Sequence, residues 1–327
     1  MFIKQKKLFS ADTAKQIAAL SDELSAAKKS FDSILIDNLM NQNKFVVVCG
    51  PCSADDYEAV LQYLHELKGL QEKHPELLVV ARIYTAKPHT SGVGYKGMCF
   101  GSNGQNMDGG IIACRKLMIE CLKVGLPIAD ELLYPDLYEY FDDLVSYWFV
   151  GARSSEDMLH RSMASGLDVC CGVKNGTDGD VRRAISSLQA VSCNSVFPLN
   201  GVQYATDGCK YAHIVLRGGE LDGNYFENLN SESVEKVKSL LAEADLNDFI
   251  MVDLSHANSC KIAVNQLKNA QTVVGNNNVN GVMVESYLYE GKSADDFGIS
   301  KTDECLSIEQ TADLFSILSE GLAKREQ

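Results

Sequence analysis

No stretch of this sequence approaches 18 consecutive apolar residues, which excludes a membrane-spanning helix. The basic start, MFIKQKKLFSADTAKQ, is followed by neither an apolar run nor a small-residue cleavage site, so it does not read as a secretory signal. Positive charge is scarce. Lys and Arg total 30 against 44 Asp and Glu, giving a formal net charge of -14 and a pI near 4.9. Such a chain is a poor partner for nucleic acid or anionic membranes. Only six prolines and no low-complexity tract leave no obvious linker, and no internal repeat occurs at solenoid periods. Eleven cysteines are present, but none forms a CxxC pair and their spacings make no framework. That excludes a disulfide scaffold and predicts a reduced, cytoplasmic protein.

What is present is a long, apolar chain: 327 residues, 46% hydrophobic. That length suits a single α/β barrel, which runs to about 250 residues before extensions. Residues 11–40 carry apolar side chains at helical spacing and predict one or two amphipathic helices within an N-terminal extension, 1–44. Eight short β-rich runs follow: Phe45–Cys49, Leu77–Tyr84, Leu126–Ala129, Tyr147–Val150, Val169–Val173, His213–Leu216, Phe249–Leu254 and Gly281–Glu285. They are continuously apolar, as strands buried on both faces should be. Helical patterns lie between most of them, clearest at Asp55–Lys73 and Ser231–Ala244, with Gly179–Ala190 starting after a turn-rich NGTDG, while Cys193–Tyr211 reads as a hairpin or long loop. The alternation predicts a parallel sheet, and eight units predict a closed (β/α)8 TIM barrel over 45–327, in the α/β class.

Polar residues collect at the C-terminal ends of these runs, in GPCSADD, ARIYTAKPHTSG, GARSSED, KNGTDGD, RGG, DLSHANSCK and ESYLYEG. In a barrel those ends converge on one mouth, where active sites lie. One set is cationic: Arg82, Lys87, Arg153, Lys174 and Arg217. Arg offers a bidentate fork and Lys a mobile point charge to carboxylate or phosphate. A second set could hold a metal: Cys52, His256, Glu285 and one of Asp295, Asp296 or Asp303. A mixed S, N and O shell suits a borderline divalent ion such as Mn, Fe, Co or Zn. Each member alone has a plainer reading. A cysteine after a strand is usually a small buried hydrophobe, and a strand-end Arg usually makes a surface ion pair. Asp130 and Glu131 read equally well as caps of a following helix, and KNGTDG as a turn. Their shared end of the barrel is what argues for a site.

The strings GPCS, KP-x-T, GAR-S-S-E, H-R-x-x-ASGL, V-KNGTDG, H-I-x-LRGG, D-x-SHANS-K and GVMVES-x-L-x-EG, in that order, resemble the class I (AroA-type α) 3-deoxy-D-arabino-heptulosonate 7-phosphate (DAHP) synthases. The resemblance runs from about Phe45 to the C-terminus. It implies a metal-dependent condensation of phosphoenolpyruvate with erythrose 4-phosphate, releasing phosphate, at the first step of the shikimate pathway. It assigns the metal to Cys52, His256, Glu285 and Asp303, with manganese favoured. It assigns phosphoenolpyruvate to Arg82, Lys87, Arg153, Lys174 and Arg217, and the sugar phosphate to a segment that includes His89 and Thr90. Lys87 is then placed to protonate the new alkoxide. Catalytic roles fall to Lys87, His256 and Cys52. It also implies a homo-oligomer, dimer or tetramer, and an aromatic amino acid effector. Two rivals are a 3-deoxy-D-manno-octulosonate 8-phosphate (KDO8P) synthase, which takes another phosphosugar, and a catalytically weakened regulatory paralogue.

Two departures stand out. The relatives' longer N-terminal segment with its Asp-Leu-Arg-Ile-like string has no counterpart here, which implies altered or lost inhibition by Phe, Tyr or Trp. The family's KPRT reads KPHT here, placing His89 where an Arg grips the phosphate of erythrose 4-phosphate. A mostly neutral imidazole offers no bidentate fork. That implies a raised KM for erythrose 4-phosphate or a different preferred aldehyde. His89→Arg is expected to lower that KM, and an unchanged or higher KM in steady-state assays would refute this reading.

Overall fold

In the computed structural model, residues 6–87, 94–101 and 106–325 are described. Two helices, α1 (Ala11–Ile17) and α2 (Asp22–Asn41), precede the first strand. Ser10 and Ser21 cap them, each accepting a backbone N–H two or three residues into its helix. Eight parallel strands then close on themselves: β1 (Phe45–Gly50), β2 (Leu77–Arg82), β3 (Ile128–Glu131), β4 (Tyr147–Val150), β5 (Cys170–Lys174), β8 (Ala212–Leu216), β11 (Ile250–Asp253) and β12 (Gly281–Glu285). The ring shuts where β12 pairs with β1, Val46 opposite Gly281 and Gly50 opposite Glu285.

Helices follow seven of the barrel strands: α3 (Tyr57–Lys73), α4 (Met107–Val124), α5 (Met158–Ala164), α6 (Val181–Ser192), α7 (Ser231–Glu243), α8 (Asn265–Val274) and α9 (Ile308–Arg325). The exception follows β3, where a 3-10 segment, Pro135–Tyr140, takes the helix's place. Asp130 and Glu131 therefore cap nothing; β3 runs through both of them. The turn-rich stretch after α6 folds into an antiparallel hairpin, β6 (Ser195–Leu199) with β7 (Val202–Thr206). A smaller hairpin, β9 (Gly219–Leu221) with β10 (Asn224–Phe226), follows β8. Among the described residues no helix is long and apolar enough to cross a membrane.

The strands look uniformly apolar because both faces are buried, but alternate residues serve two different cores. Val47, Val79, Trp148, Cys171, Ile214, Val252 and Val282 face the helices. Val46, Val48, Val80, Ala129, Tyr147, Phe149, Val215, Phe249, Met251 and Met283 fill the barrel, joined from below by Leu35 and Leu39 of α2.

An imidazole also sits in this inner layer. His213 is fully buried, 2.5 Å from the Tyr147 hydroxyl and edge-on to Tyr147 and Phe249. Burial pushes its pKa down to about 4 from the usual 6.5, so the unfolded chain takes up this proton first as pH falls. Stability is then lost from about pH 6.5 downward, by about 3 kcal/mol at pH 4. Urea unfolding at pH 7 and pH 4 should show that excess loss in the wild type but not in His213→Asn. Equal losses in both proteins would show that His213 does not carry the effect.

Candidate active site

The inward parity that fills the barrel with apolar side chains continues upward into a polar top layer. Two residues above each inner position lie Gly50, Arg82, Glu131, Gly151, Lys174, Arg217, Asp253 and Glu285. Space requires the glycine at position 50, and at 151 a side chain would displace the Glu131 carboxylate. A Cβ at Gly151 would run into the Glu131 carboxylate, and one at Gly50 into the Arg82 backbone oxygen.

The ions in this layer are buried and matched. Arg82 Nη2 donates to Glu285 Oε1 at 2.8 Å and to the Cys52 carbonyl oxygen at 3.0 Å. Lys174 Nζ donates to Asp253 Oδ2 at 2.8 Å. Asp253 also lies 2.9 Å from His256 Nδ1, off the line of a well-aligned hydrogen bond. Ser255 Oγ donates to the other Glu285 oxygen at 2.7 Å. Burial would raise both carboxylates, but the neighbouring cations outweigh it. His256 and Lys174 hold Asp253 well below the usual range. His256, Arg82 and Lys87 hold Glu285 at about 2.

Beside this pair stands a cluster of potential metal ligands. Cys52, Glu285 and Asp303 present ligand atoms that all lie within 4.8 Å of one another. His256 Nε2 is 3.8 Å from Glu285 Oε1. Burial lowers the imidazole's pKa. With Nδ1 beside Asp253, Nε2 is left facing the cluster, the arrangement of a metal-ligating histidine backed by a carboxylate. Burial and the charge of Glu285 push the Cys52 thiol up to about 12. The thiol and the two carboxylates form the compact part of this cluster, and the imidazole stands beside Glu285 at its edge. Together they offer a donor set that suits a divalent cation, which would draw the thiol into its thiolate form. Lys87 Nζ lies 2.7 Å from Cys52 Sγ and 3.2 Å from Asp303 Oδ2. Burial disfavours its charge, but the neighbouring Cys52, Glu285 and Asp303 outweigh that, raise its pKa and keep it an ammonium. Asp295 and Asp296 lie apart, exposed and bonded to Ser293.

Asp303 reaches the cluster because its segment lies back along the end of β12. Leu306 N–H donates to the Glu285 carbonyl and Tyr287 N–H to the Leu306 carbonyl. His256 has a left-handed backbone, φ 53°, uncommon for a residue other than glycine and typical of functional sites.

Arg82, Lys87, Arg153, Lys174 and Arg217 line one pocket with Glu131, Thr177 and His256. KNGTDG is thus both turn and pocket wall. Asn175 Oδ1 accepts from Arg217 N–H at 2.9 Å, and its Nδ2 donates to the Gly218 carbonyl at 2.9 Å, which locks two adjacent loops. His89 and Thr90 lie outside the described residues. Sequence reasoning did not single out Asp253 or Ser255, and left Glu131 undecided; the signal that could have found Asp253 and Glu131 was strand parity. Asp130 faces outward and accepts from Thr85 N–H and Oγ–H at 3.0 and 2.8 Å, fixing the strand end that leads to Lys87. A larger cavity, about 500 Å³, opens beside the β6–β7 hairpin at the opposite, N-terminal end of β5 and β8.

A sequence profile described as the DAHP synthetase I family matches residues 34–320. The Tyr-sensitive phospho-2-dehydro-3-deoxyheptonate aldolase of Escherichia coli K12 is 35% identical over 326 residues, covering 92% of this chain and 88% of its own. The Trp-sensitive enzyme of Enterobacter agglomerans is 33% identical, covering 94% and 91%. The solved structure of phospho-2-dehydro-3-deoxyheptonate aldolase from Francisella tularensis SCHU S4 superposes with a TM-score of 0.93 at 30% identity, over 99% of each chain. The closed parallel barrel, the ligand cluster at its mouth and these likenesses agree: this chain belongs to the DAHP synthetase I family.

Proposed function

We propose that the chain joins C3 of phosphoenolpyruvate to the aldehyde carbon of erythrose 4-phosphate, with water adding at C2 and phosphate leaving, to give DAHP. The observation that carries this reading is the adjacency of two sets: a thiol, an imidazole and two carboxylates on one side, and five cationic side chains on the other. A divalent cation held by Cys52, His256, Glu285 and Asp303 would supply Lewis acidity to the aldehyde oxygen. Manganese is favoured because half the donors are carboxylates.

The remaining roles belong to the protein's own side chains. Arg82, Arg153, Lys174 and Arg217 bind the carboxylate and phosphate of phosphoenolpyruvate, and stabilise charge as it shifts toward the leaving phosphate. Arg82 and Lys174 are held in place by Glu285 and Asp253. Lys87 carries a proton at Nζ beside the ligand cluster and delivers it to the new alkoxide. The sugar phosphate is assigned to the segment with His89 and Thr90 on the family resemblance. Arabinose 5-phosphate is the discriminating competitor. Loss of phosphoenolpyruvate should require erythrose 4-phosphate, stop with chelator, return with Mn2+, and be absent in Cys52→Ala. Full turnover in chelator or in that variant, or a preference for arabinose 5-phosphate, would overturn the proposal.

An aromatic amino acid effector belongs to the same proposal, since relatives are named Tyr-sensitive and Trp-sensitive. The cavity beside the β6–β7 hairpin suits such a ligand: Phe197, Tyr204 and Tyr211 offer ring contacts, while Lys210 and Glu139 offer both charge signs. Titration with Tyr, Trp and Phe should show inhibition by at least one at micromolar concentration; indifference to all three would remove the effector.

A further inference from the structure

Three residues beyond Cys52 the β1 loop carries a carboxylate that the proposed chemistry does not use. Asp55 Oδ1 accepts from the Tyr287 hydroxyl at 2.9 Å. Its Oδ2 accepts from the backbone N–H of Lys301 at 3.0 Å. Tyr287 stands two residues after Glu285, and Lys301 two residues before Asp303. One side chain therefore ties together the segments that bear Cys52, Glu285 and Asp303. The tie is stiff, because Tyr287 is fully buried and edge-on to Tyr63. A thinner second layer runs parallel to it: Ser53 Oγ lies 3.3 Å from Thr302 Oγ1, and Cys52 N–H donates to Cys305 Sγ at 3.4 Å.

The need for such a tie is electrostatic and entropic. Glu285 and Asp303 repel each other, and a thiolate at Cys52 would repel both. Cys52 and Asp303 lie on irregular segments beyond the strands, where fixing the backbone costs conformational entropy. A scaffold that holds the ligands at chelating distance before the ion arrives removes that cost from the binding step.

We propose that Asp55 is a positioning residue for the metal, a carboxylate outside the coordination sphere that sets cation affinity by locking the three ligand-bearing segments together. The inference rests on the metal-site reading above. The test is Mn2+ binding to the metal-stripped full chain, read from the electron paramagnetic resonance signal of free Mn2+, with no substrate present. Asp55→Ala should raise the Kd by about ten- to a hundredfold, the usual range for lost outer-shell partners. Asp55→Asn, which keeps one acceptor, should raise it less. Tyr287→Phe should also weaken binding, and adding it to Asp55→Ala should cost nothing further, because both act through one tie. Cys52→Ala is the control. If it binds Mn2+ like the wild type, the metal reading itself fails. If it loses Mn2+ while Asp55→Ala does not, or if the two effects simply add, the Asp55 inference alone fails. Should Asp55→Ala not fold, Asp55→Asn and Tyr287→Phe carry the same test, and wild-type affinity in both overturns it.

Discussion

The pairing of β12 with β1 is the contact on which the site depends. It sets Gly50 directly opposite Glu285. The β1 loop with Cys52 and the β12 end with Glu285 thereby become neighbours, although most of the chain separates them. The same closure brings Arg82, one strand further round, within reach of Glu285. An open sheet of the same eight strands would leave β1 and β12 apart and the donor set divided. Closure also fixes parity. Once Val46 and Val48 point into the barrel, a pleat of period two leaves Gly50 there as well, and Met283 likewise commits Glu285.

Inside that closed ring, charge is balanced locally. Arg82 answers Glu285, and Asp253 lies between Lys174 and His256. Lys87 sits between Cys52 and Asp303. Groups so buried cannot be left single, since removing one partner strands the other without water. Arg217, at the rim, is lowered by burial and by nearby Arg153, with only partial relief from Asp253. An anion arriving from solvent therefore meets Arg153 and Arg217 before it reaches the ion pairs of Arg82 and Lys174. This is how a chain with net charge -14 can still bind a polyanion: the field that matters is that of a few desolvated groups close by, while distant surface carboxylates are screened.

The N-terminal helices belong to this arrangement physically. Leu35 and Leu39 of α2 pack under the barrel against its inner layer. Phe9 N–H and Lys6 both bond Asp108 on α4, and the Tyr140 hydroxyl bonds the Phe9 carbonyl. The lower end of the barrel is thus filled by apolar side chains, and the polar layer has one open end.

The sequence by itself determined the strands, most of the helices and the end of the barrel where the chemistry lies. Burial on both faces leaves an apolar run that a reader can see, and polar residues at C-terminal strand ends such as Arg82, Lys174 and Asp253 break those runs visibly. The resemblance to a known family also singled out Asp303, which composition could not separate from Asp295 and Asp296. Tertiary structure alone decided the rest. Pairing of residues as distant as Arg82 and Glu285, the convergence of Cys52 with Asp303, and the tie from Asp55 to Tyr287 and Lys301 arise from register and closure, which no local pattern encodes. The replacement of one helix by a 3-10 segment after β3 was equally hidden, because Asp130 and Glu131 carry the letters of a cap while the barrel uses one to hold Thr85 and the other to line its mouth.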